Sequence, residues 1–226
     1  MKRSLRSRIA RRLRGLPRNL WEAQQSLAVL GALRELGWQR SLRDGPIDST
    51  GAPIPWITYP ALDVLTQLVR PQWKVFEYGA GHSTEWFARR VEKVVSVESD
   101  SAWIERLSPR LPTNAVVMGP FTGEEYHGAI RRAGVESFDC IMVDGQDRPI
   151  CIEDALGFLS PGGVLVLDNS DRPSETTVVH FLAEQGFMRV DFTGFSAQAG
   201  HLSCTSLFFL DGAMLRGAEP REHLGF

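Results

Sequence analysis

The sequence predicts an α/β fold: a Rossmann-like, doubly wound and mostly parallel seven-stranded sheet with an antiparallel last strand. Short apolar segments alternate with helical segments from residue 73 onward, which is the pattern of a parallel sheet. The apolar runs at 138–143 and 163–167 are nearly continuous, as in strands that are buried on both faces. The loop between the last two strand segments is too short for a parallel crossover, so these two strands are expected to be antiparallel.

The individual elements follow from the apolar periodicity and from the glycines and prolines that bound it. Strands are predicted at residues 73–78, 93–98, 115–118, 138–143, 163–167, 187–193 and 204–210. Helices are predicted at residues 19–36, 60–70, 83–91, 101–108, 122–133, 149–158 and 174–185. The chain is therefore divided into a basic tail (1–18), an amino-terminal helix with a lid-like loop (19–60) and one α/β domain (61–226). Trp56 in the loop either packs on the domain or covers its ligand site.

The most informative segment runs from Val75 to Thr84, where an apolar strand enters a turn with two glycines and then a helix. Gly79 and Gly81 let a ligand approach the main chain where a Cβ would block it. The next strand ends at Glu98, whose carboxylate can accept from both hydroxyls of a ribose. These features predict a nucleotide-type cofactor site.

Two details argue against a dinucleotide. The residue three positions after Gly81 is Thr84, so the third glycine of the dinucleotide fingerprint is absent from the sequence. Glu77, close before the first glycine, is poorly placed beside a pyrophosphate. It could instead accept from the ammonium group of an amino acid.

The segment resembles motif I of the class I S-adenosylmethionine-dependent methyltransferases, and the order of the strand ends extends the resemblance over roughly residues 53–210. Segments 53–60, 143–148 and 168–172 are similar to those of a bacterial group whose acceptors are mostly unassigned. The resemblance implies S-adenosyl-L-methionine as the cofactor and a methyltransferase domain at residues 61–226. The implied cofactor-binding residues are Glu77, Tyr78, Gly79, Gly81, His82, Ser83, Thr84, Glu98 and Asp144.

Further polar residues follow the fourth and fifth strands, and the carboxyl ends of strands in an open α/β sheet share one rim. Asp144, Asp168 and Asn169 match the places at which catechol O-methyltransferase and its relatives hold a magnesium ion, so Mg²⁺ is a candidate second cofactor. Alternatively, Asp168 and Asn169 cap the following turn while Asp144 supports the cofactor loop. Asp144 and His201 are the candidate catalytic bases.

The expected function is transfer of a methyl group from S-adenosyl-L-methionine to a small-molecule or saccharide acceptor, at oxygen. Arg148 either binds an anionic acceptor or pairs with Asp147. One alternative is an aminopropyltransferase of the same fold, as in the spermidine synthases, although Asp144 supplies only one of their paired aspartates. The other is a nicotinamide-dependent oxidoreductase or a cofactor-binding protein without catalysis.

Charge is unevenly distributed along the chain. Residues 1–18 contain eight of the 25 Lys and Arg and no acid, which leaves 17 basic against 27 acidic residues in the rest. A domain this acidic has no long-range attraction for nucleic acid, so nucleic acid is not an expected partner. Leu5, Ile9, Leu13 and Leu16 recur at helical spacing in the basic tail. The tail could therefore lie on anionic lipid as a helix, or it could remain a solvated segment.

The cysteines indicate a reducing compartment. Cys140, Cys151 and Cys204 are an odd number without zinc-ligand spacing, and they are interpreted as buried, reduced thiols. The sequence contains no apolar run near the ~20 residues of a membrane span, and its tail lacks the apolar core of a secretion signal. A cytoplasmic protein is expected, with peripheral membrane contact through residues 1–18 as an option.

Overall fold

The computed structural model describes residues 16–212, with side chains described from residue 20 onward. Most of the predicted basic tail and residues 213–226 lie outside the described residues. Within residues 16–212, no helix combines the length and the apolar composition that crossing a membrane requires.

A seven-stranded sheet forms the centre of the molecule, in the order β3-β2-β1-β4-β5-β7-β6. Its strands are β1 (Lys74–Tyr78), β2 (Lys93–Val97), β3 (Ala115–Met118), β4 (Phe138–Val143), β5 (Leu159–Asp168), β6 (Met188–Gly194) and β7 (Ser203–Phe209). Strands β1 to β5 pair in parallel. Strand β7 runs antiparallel between β5 and β6. The predicted fold class is confirmed, including the antiparallel last strand.

Helices flank the sheet and connect its strands. They are α1 (Leu16–Glu35), α2 (Trp38–Asp44), α3 (Tyr59–Leu68), α4 (His82–Ala88), α5 (Ser101–Leu107), α6 (Gly123–His127), α7 (Arg148–Ala155) and α8 (Thr176–Glu184). Short 3₁₀ turns at 108–110, 128–132, 156–158 and 173–175 extend or precede several of them.

Two apolar layers cover the two faces of the sheet. On one face Val75 packs with residues of α3 and α4, including Leu65 and Phe87. On the other face Phe76 and neighbouring strand residues pack against α7 and α8, including Ile152. Burial on both faces is the reason that the central strands have nearly continuous apolar sequences.

Three predicted boundaries were wrong. Helix α2 was not predicted, because Gly37 was expected to end helical structure. In the structure its left-handed conformation (φ 86°) interrupts the helix for only two residues. Strand β5 begins at Leu159 rather than 163, since Gly162 (φ 77°) and a register shift against β4 absorb the expected turn within the strand. The helix predicted at 122–133 is the short α6 followed by a 3₁₀ turn.

Hydrogen bonds attach the segment before α3 to the last two strands. The backbone N–H of Thr58 donates to Thr205 Oγ1 (3.0 Å), and the Thr58 hydroxyl donates to the carbonyl of Phe192 (2.9 Å). The indole N–H of Trp38 on α2 donates to the carbonyl of Ala199 in the β6–β7 loop (2.8 Å). The loop at 45–58 is thereby held over the carboxyl edge of the sheet.

Candidate active site

A cavity of about 420 Å³ lies at the carboxyl ends of β1, β2 and β4. Ligands in open α/β sheets bind at this edge. The cavity is lined by Pro46, Trp56, Gly79, Ala80, Gly81, His82, Ser83, Glu98, Ser99, Trp103, Tyr126, Asp144, Gly145, Gln146 and Gln198.

The turn after β1 forms one wall, and its backbone donors are already used within the protein. The N–H groups of Gly79, Ala80 and Gly81 donate to the Val97 carbonyl (2.9 Å), Glu98 Oε2 (3.1 Å) and Thr84 Oγ1 (3.0 Å), respectively. A loop that cradles a pyrophosphate must direct free N–H groups at the ligand. These three N–H groups of the turn are therefore not free to bind a phosphate, and the turn offers a ligand only space.

Glu77 lies beneath the turn and is fully buried. Its Oε2 accepts from the Ser96 hydroxyl (2.7 Å), and Ser96 in turn contacts the hydroxyl of Thr84 (3.3 Å). Its Oε1 has no hydrogen-bond partner among the described residues. Burial raises the pKa of Glu77, against nearby hydroxyl groups that lower it. A buried acceptor oxygen without a donor, directly beneath the turn, suits a ligand that brings an N–H group of its own.

Glu98 stands at the end of β2, as the sequence predicts, and its carboxylate lines the cavity. Its Oε1 accepts from the N–H groups of Ser99 (2.7 Å) and Asp100 (3.0 Å). Its Oε2 accepts only from Ala80 among the described donors and keeps a lone pair for a ligand hydroxyl. The carboxylate is fixed in place before any ligand binds.

Aromatic rings form the opposite walls. The indole N–H of Trp103 on α5 donates to the Ala80 carbonyl (2.7 Å), and the ring lies 6.3 Å from that of His82. Burial is the main cause that lowers the pKa of His82, followed by the charge of Arg110. Tyr126 is buried, and its hydroxyl lies so close to Gly145 that a Cβ there would come within 1.9 Å of it.

Asp144 is the acid inside the cavity, and Arg148 is its ion-pair partner. Arg148 Nη2 donates to Asp144 Oδ1 at 3.1 Å, and the two side chains are 8% and 28% exposed. The pKa of Asp144 is raised to about 8, first by burial and then by the charge of Asp168, while the charge of Arg148 acts in the opposite direction. Asp168 is buried, and its Oδ1 accepts from the Thr205 hydroxyl (2.5 Å).

The structure brings six of the nine predicted cofactor-binding residues to the cavity wall: Gly79, Gly81, His82, Ser83, Glu98 and Asp144. Glu77 and Thr84 instead support the turn from below. The buried side chain of Tyr78 lies outside the cavity lining, and its hydroxyl donates to the His127 carbonyl (2.8 Å). The backbone N–H of Asp144 donates to the Tyr78 carbonyl, so Tyr78 still fixes the register of the rim.

The predicted metal ligands Asp144 and Asp168 lie close enough for their charges to interact, but each carboxylate is bonded within the protein. Within residues 16–212, no group of three His, Cys, Asp or Glu side chains is arranged to hold a metal ion. The Asp168 carboxylate is bonded to Thr205, and the Asp144 carboxylate is bonded to Arg148. Asn169 adopts a left-handed conformation (φ 47°), and its backbone carbonyl accepts from the N–H of Arg172, which closes a turn after β5.

Two further expectations concern charged side chains. His201 is exposed before β7 and stands outside the cavity lining, so the structure favours Asp144 over His201 as the base. Arg148 pairs with Asp144 rather than Asp147, and it is too buried to receive a substrate. Asp147 instead contacts His127 Nε2 at 3.0 Å.

Residues from outside the central strands complete the opening of the cavity. Pro46 and the half-exposed Trp56 come from the segment before α3, and Gln198 comes from the β6–β7 loop. Gln146 follows β4, and its amide donates to the Ser99 hydroxyl (3.0 Å) across the cavity. The position of Trp56 favours the covering alternative, and a lid function remains a prediction.

Several lining residues were missed by the sequence reasoning. Trp103, Tyr126 and Gln198 reach the cavity from α5, α6 and a hairpin loop, where no local sequence pattern marks them. Gln146 carried a usable signal, since it follows directly the Asp144-Gly145 strand end.

A second cavity of about 910 Å³ lies between α1, α3 and the end of α4, with Leu33, Tyr59 and Trp86 in its walls. Its described lining contains none of the predicted site residues. We assign no ligand to it.

The comparisons with known proteins agree with this fold. No protein-family model matches the chain, and no curated protein sequence matches it. Among solved structures, a precorrin-6y C5,15-methyltransferase from Geobacter metallireducens is 15% identical with a TM-score of 0.51, over 65% of this chain and 86% of that one. An O-methyltransferase from Bacillus cereus in complex with SAH is 21% identical with a TM-score of 0.50, over 66% and 78%.

A spermidine synthase from Thermotoga maritima is 14% identical with a TM-score of 0.50, over 70% of this chain and 59% of that one. At these identities the likeness concerns the fold alone. The chain has the fold of the class I S-adenosylmethionine-dependent methyltransferases.

Proposed function

We propose that the protein is an S-adenosyl-L-methionine-dependent methyltransferase that methylates an oxygen atom of a small-molecule or saccharide acceptor. The observation that supports this most directly is the chemistry of the cavity wall. The three backbone donors of the glycine turn are used internally, whereas Glu98 and Asp144 line the cavity and Glu77 lies buried beneath the turn. Such a wall suits a cationic ligand with a ribose and disfavours the pyrophosphate of a nicotinamide cofactor.

The residues present fit the cofactor. Glu98 would accept from the ribose hydroxyls through its open lone pair, and Glu77 Oε1 would receive an ammonium proton. When bound, S-adenosyl-L-methionine supplies a methyl group on a sulfonium, which the acceptor oxygen displaces to leave a thioether. In its ionised form, which predominates only above its raised pKa of about 8, Asp144 would accept the hydroxyl proton of the acceptor as the new oxygen–carbon bond forms. Trp56 would exclude water from the opening.

The opening of the cavity supports a neutral, hydroxyl-rich acceptor. Gln146 and Gln198 present side-chain amides there, and Trp56 presents an aromatic face. A side-chain amide can both donate a hydrogen bond to a hydroxyl group and accept one from it. An aromatic face can pack on the apolar face of a sugar ring. A saccharide or a small polyol offers both surfaces.

Calorimetry with S-adenosylhomocysteine, NAD and decarboxylated S-adenosylmethionine tests the cofactor. We expect binding of S-adenosylhomocysteine and none of NAD. Glu98→Ala should weaken this binding by about 1.5 to 3 kcal/mol, because charge-assisted hydrogen bonds to the ribose are lost. Glu105→Ala, which removes an exposed acid from α5, is the matched control. Unchanged affinity in folded Glu98→Ala protein would remove Glu98 from the site.

The shared fold with a spermidine synthase keeps aminopropyl transfer as the second candidate. Tighter binding of decarboxylated S-adenosylmethionine than of S-adenosylmethionine would favour it.

For the acceptor, transfer of labelled methyl groups to a panel of glycosides, phenols and RNA is the measurement. Trp56→Ala should raise the KM for a glycoside while the affinity for S-adenosylhomocysteine stays unchanged, and transfer to RNA alone would contradict the proposal.

We also propose that the amino-terminal region contacts anionic lipid. Residues 20–32 of α1 are exposed, including Leu20, Trp21, Leu27 and Leu30. The preceding sequence supplies eight cations without an acid. Exposed apolar side chains next to a cationic segment match the two attractions of an anionic membrane surface.

A further inference from the structure

Arg148 occupies the gap between the carboxyl ends of β4 and β5. Its guanidinium donates to the carbonyls of Gly145 (3.0 Å) and Asp144 (3.3 Å), to Asp144 Oδ1 (3.1 Å) and to the carbonyl of Asp168. The residue is 7% exposed. One cation therefore binds three backbone oxygens and one carboxylate oxygen from the two strand ends that the sequence assigned to a metal.

The position is an unfavourable one for a cation. Arg148 is the first residue of α7, where the helix dipole favours negative charge, and burial of a charge costs free energy unless it is paired. The four hydrogen bonds satisfy most of the guanidinium donors and offset both costs. The hydrogen bonds to the ends of β4 and β5 therefore explain a buried arginine at this position, whereas the helix that it begins does not.

A divalent ion does not fit the same rim. Such an ion is bound through one or two carboxylates, and the guanidinium already attached to Asp144 would both occupy that carboxylate and repel the ion. Asp168, the second expected ligand, directs Oδ1 to Thr205.

We propose that Arg148 takes the place of the divalent ion at this rim, so that the protein works without a metal, and that Arg148 is the positioning residue for Asp144. The second half rests on the proposed methyl transfer, whereas the absence of metal binding does not. The planar guanidinium fixes the Asp144 carboxylate relative to the backbone of β4 and β5, and so aims it into the cavity.

The first test is direct and independent of turnover. Wild-type protein titrated with Mn²⁺ in a calorimeter should show no saturable binding, and Mg²⁺ or a chelator should leave its Tm unchanged. Mn²⁺ binding that Asp168→Asn abolishes would overturn the inference. Absence of S-adenosylhomocysteine binding in the same wild-type sample would refute the proposed function but leave this result intact.

The second test concerns positioning. With an acceptor that the panel identifies, Arg148→Met should lower kcat about 10- to 100-fold, because a misaligned base loses part of the roughly 100- to 10,000-fold that general-base catalysis contributes. Its affinity for S-adenosylhomocysteine and its KM for the acceptor should stay within about threefold, because Arg148 touches neither ligand. Arg148→Lys should recover part of kcat, since it keeps the charge but loses the planar geometry.

Arg131→Met serves as the matched control, because it removes an exposed ion pair to Asp154 (2.6 Å). If Arg148→Met fails to fold, as circular dichroism would show, Arg148→Lys provides the same comparison in a charged form. If the Arg148 variants lost cofactor affinity and kcat to the same extent, Arg148 would have only a structural role. That result would overturn the proposal that Arg148 positions Asp144.

Discussion

At the scale of single residues, position 145 must be a glycine, because its neighbours leave no room for a Cβ. A Cβ at this position would lie 1.9 Å from the Tyr126 hydroxyl oxygen and 3.1 Å from the backbone nitrogen of Gly79. Both contacts are shorter than real Cβ atoms tolerate without movement. The sequence showed only an Asp-Gly strand end, and the reason for the glycine is a side chain that arrives from α6.

Gly145→Ala should therefore lower the free energy of unfolding by about 1 to 3 kcal/mol and weaken S-adenosylhomocysteine binding, because the glycine turn must move. Denaturant unfolding and calorimetry would measure the two effects. Gly157→Ala is the control, since no described atom lies within 4 Å of a Cβ there. Tyr126→Phe in the Gly145→Ala background should restore part of the loss, and no recovery would show that the hydroxyl clash is not the cause.

Site residues differ in how far the sequence could reveal them. Glu98 and Asp144 end strands, and the ends of parallel strands meet at one edge, so a local pattern predicts their meeting. The partner of Arg148 could not be predicted in this way. Asp147 is its neighbour in sequence, yet Asp147 adopts a left-handed conformation (φ 45°) that turns it toward His127.

At the scale of helices and strands, the sequence likewise does not reveal effects that depend on tertiary partners. The apolar runs placed the strands, because their composition reflects burial on both faces. The start of β5 was missed because Gly162 usually marks a turn, while here the partner strand β4 keeps the segment in the sheet. Tertiary pairing overrode the local signal.

Helix α1 supports the prediction that belongs to this scale. Trp21 and Leu27 are 62% and 69% exposed. Replacing both with Ser should reduce binding to vesicles of anionic lipid and leave S-adenosylhomocysteine affinity unchanged, because the apolar contribution to lipid binding is lost. Co-sedimentation with anionic and with neutral vesicles would measure it, and added salt should weaken the wild-type binding.

Leu202→Ser is the control for this pair, since Leu202 is exposed in the β6–β7 loop. Equal vesicle binding by the double variant and the wild type would exclude α1 from the membrane contact. A stable dimer in sedimentation, lost in the double variant without lipid, would assign the same side chains to self-association instead.

At the scale of the whole molecule, the mostly parallel sheet was predictable, because strand and helix segments alternate along the sequence. The short last connection forces the antiparallel β7. The placement of residues 45–58 over the sheet edge was not predictable, because it depends on hydrogen bonds to partners far along the chain. Trp38 bonds the β6–β7 loop 161 residues later, and Thr58 bonds β7 147 residues later.

Burial of acids at the sheet edge has a consequence for the stability of the whole fold. The pKa values of Glu77, Asp144 and Asp168 are all raised. Between its unfolded pKa near 3.8 and its folded pKa of about 8, Asp144 binds a proton in the folded state but not in the unfolded state. The folded state then binds more protons, so stability falls as pH rises. The lowered pKa of His82 has the opposite effect, but only below its unfolded value of 6.5.

The free energy of unfolding without ligand should therefore decrease as pH rises from about 6.5 to 8, by at most about 1.4 kcal/mol per pH unit for one group. Denaturant unfolding at several pH values measures the slope. Asp144→Asn cannot ionise, so it should flatten the slope in this window. Glu124→Gln, an exposed acid on α6, should leave the slope as in the wild type. A slope that persists in Asp144→Asn would assign the dependence to another buried acid and would place the pKa of Asp144 outside this window.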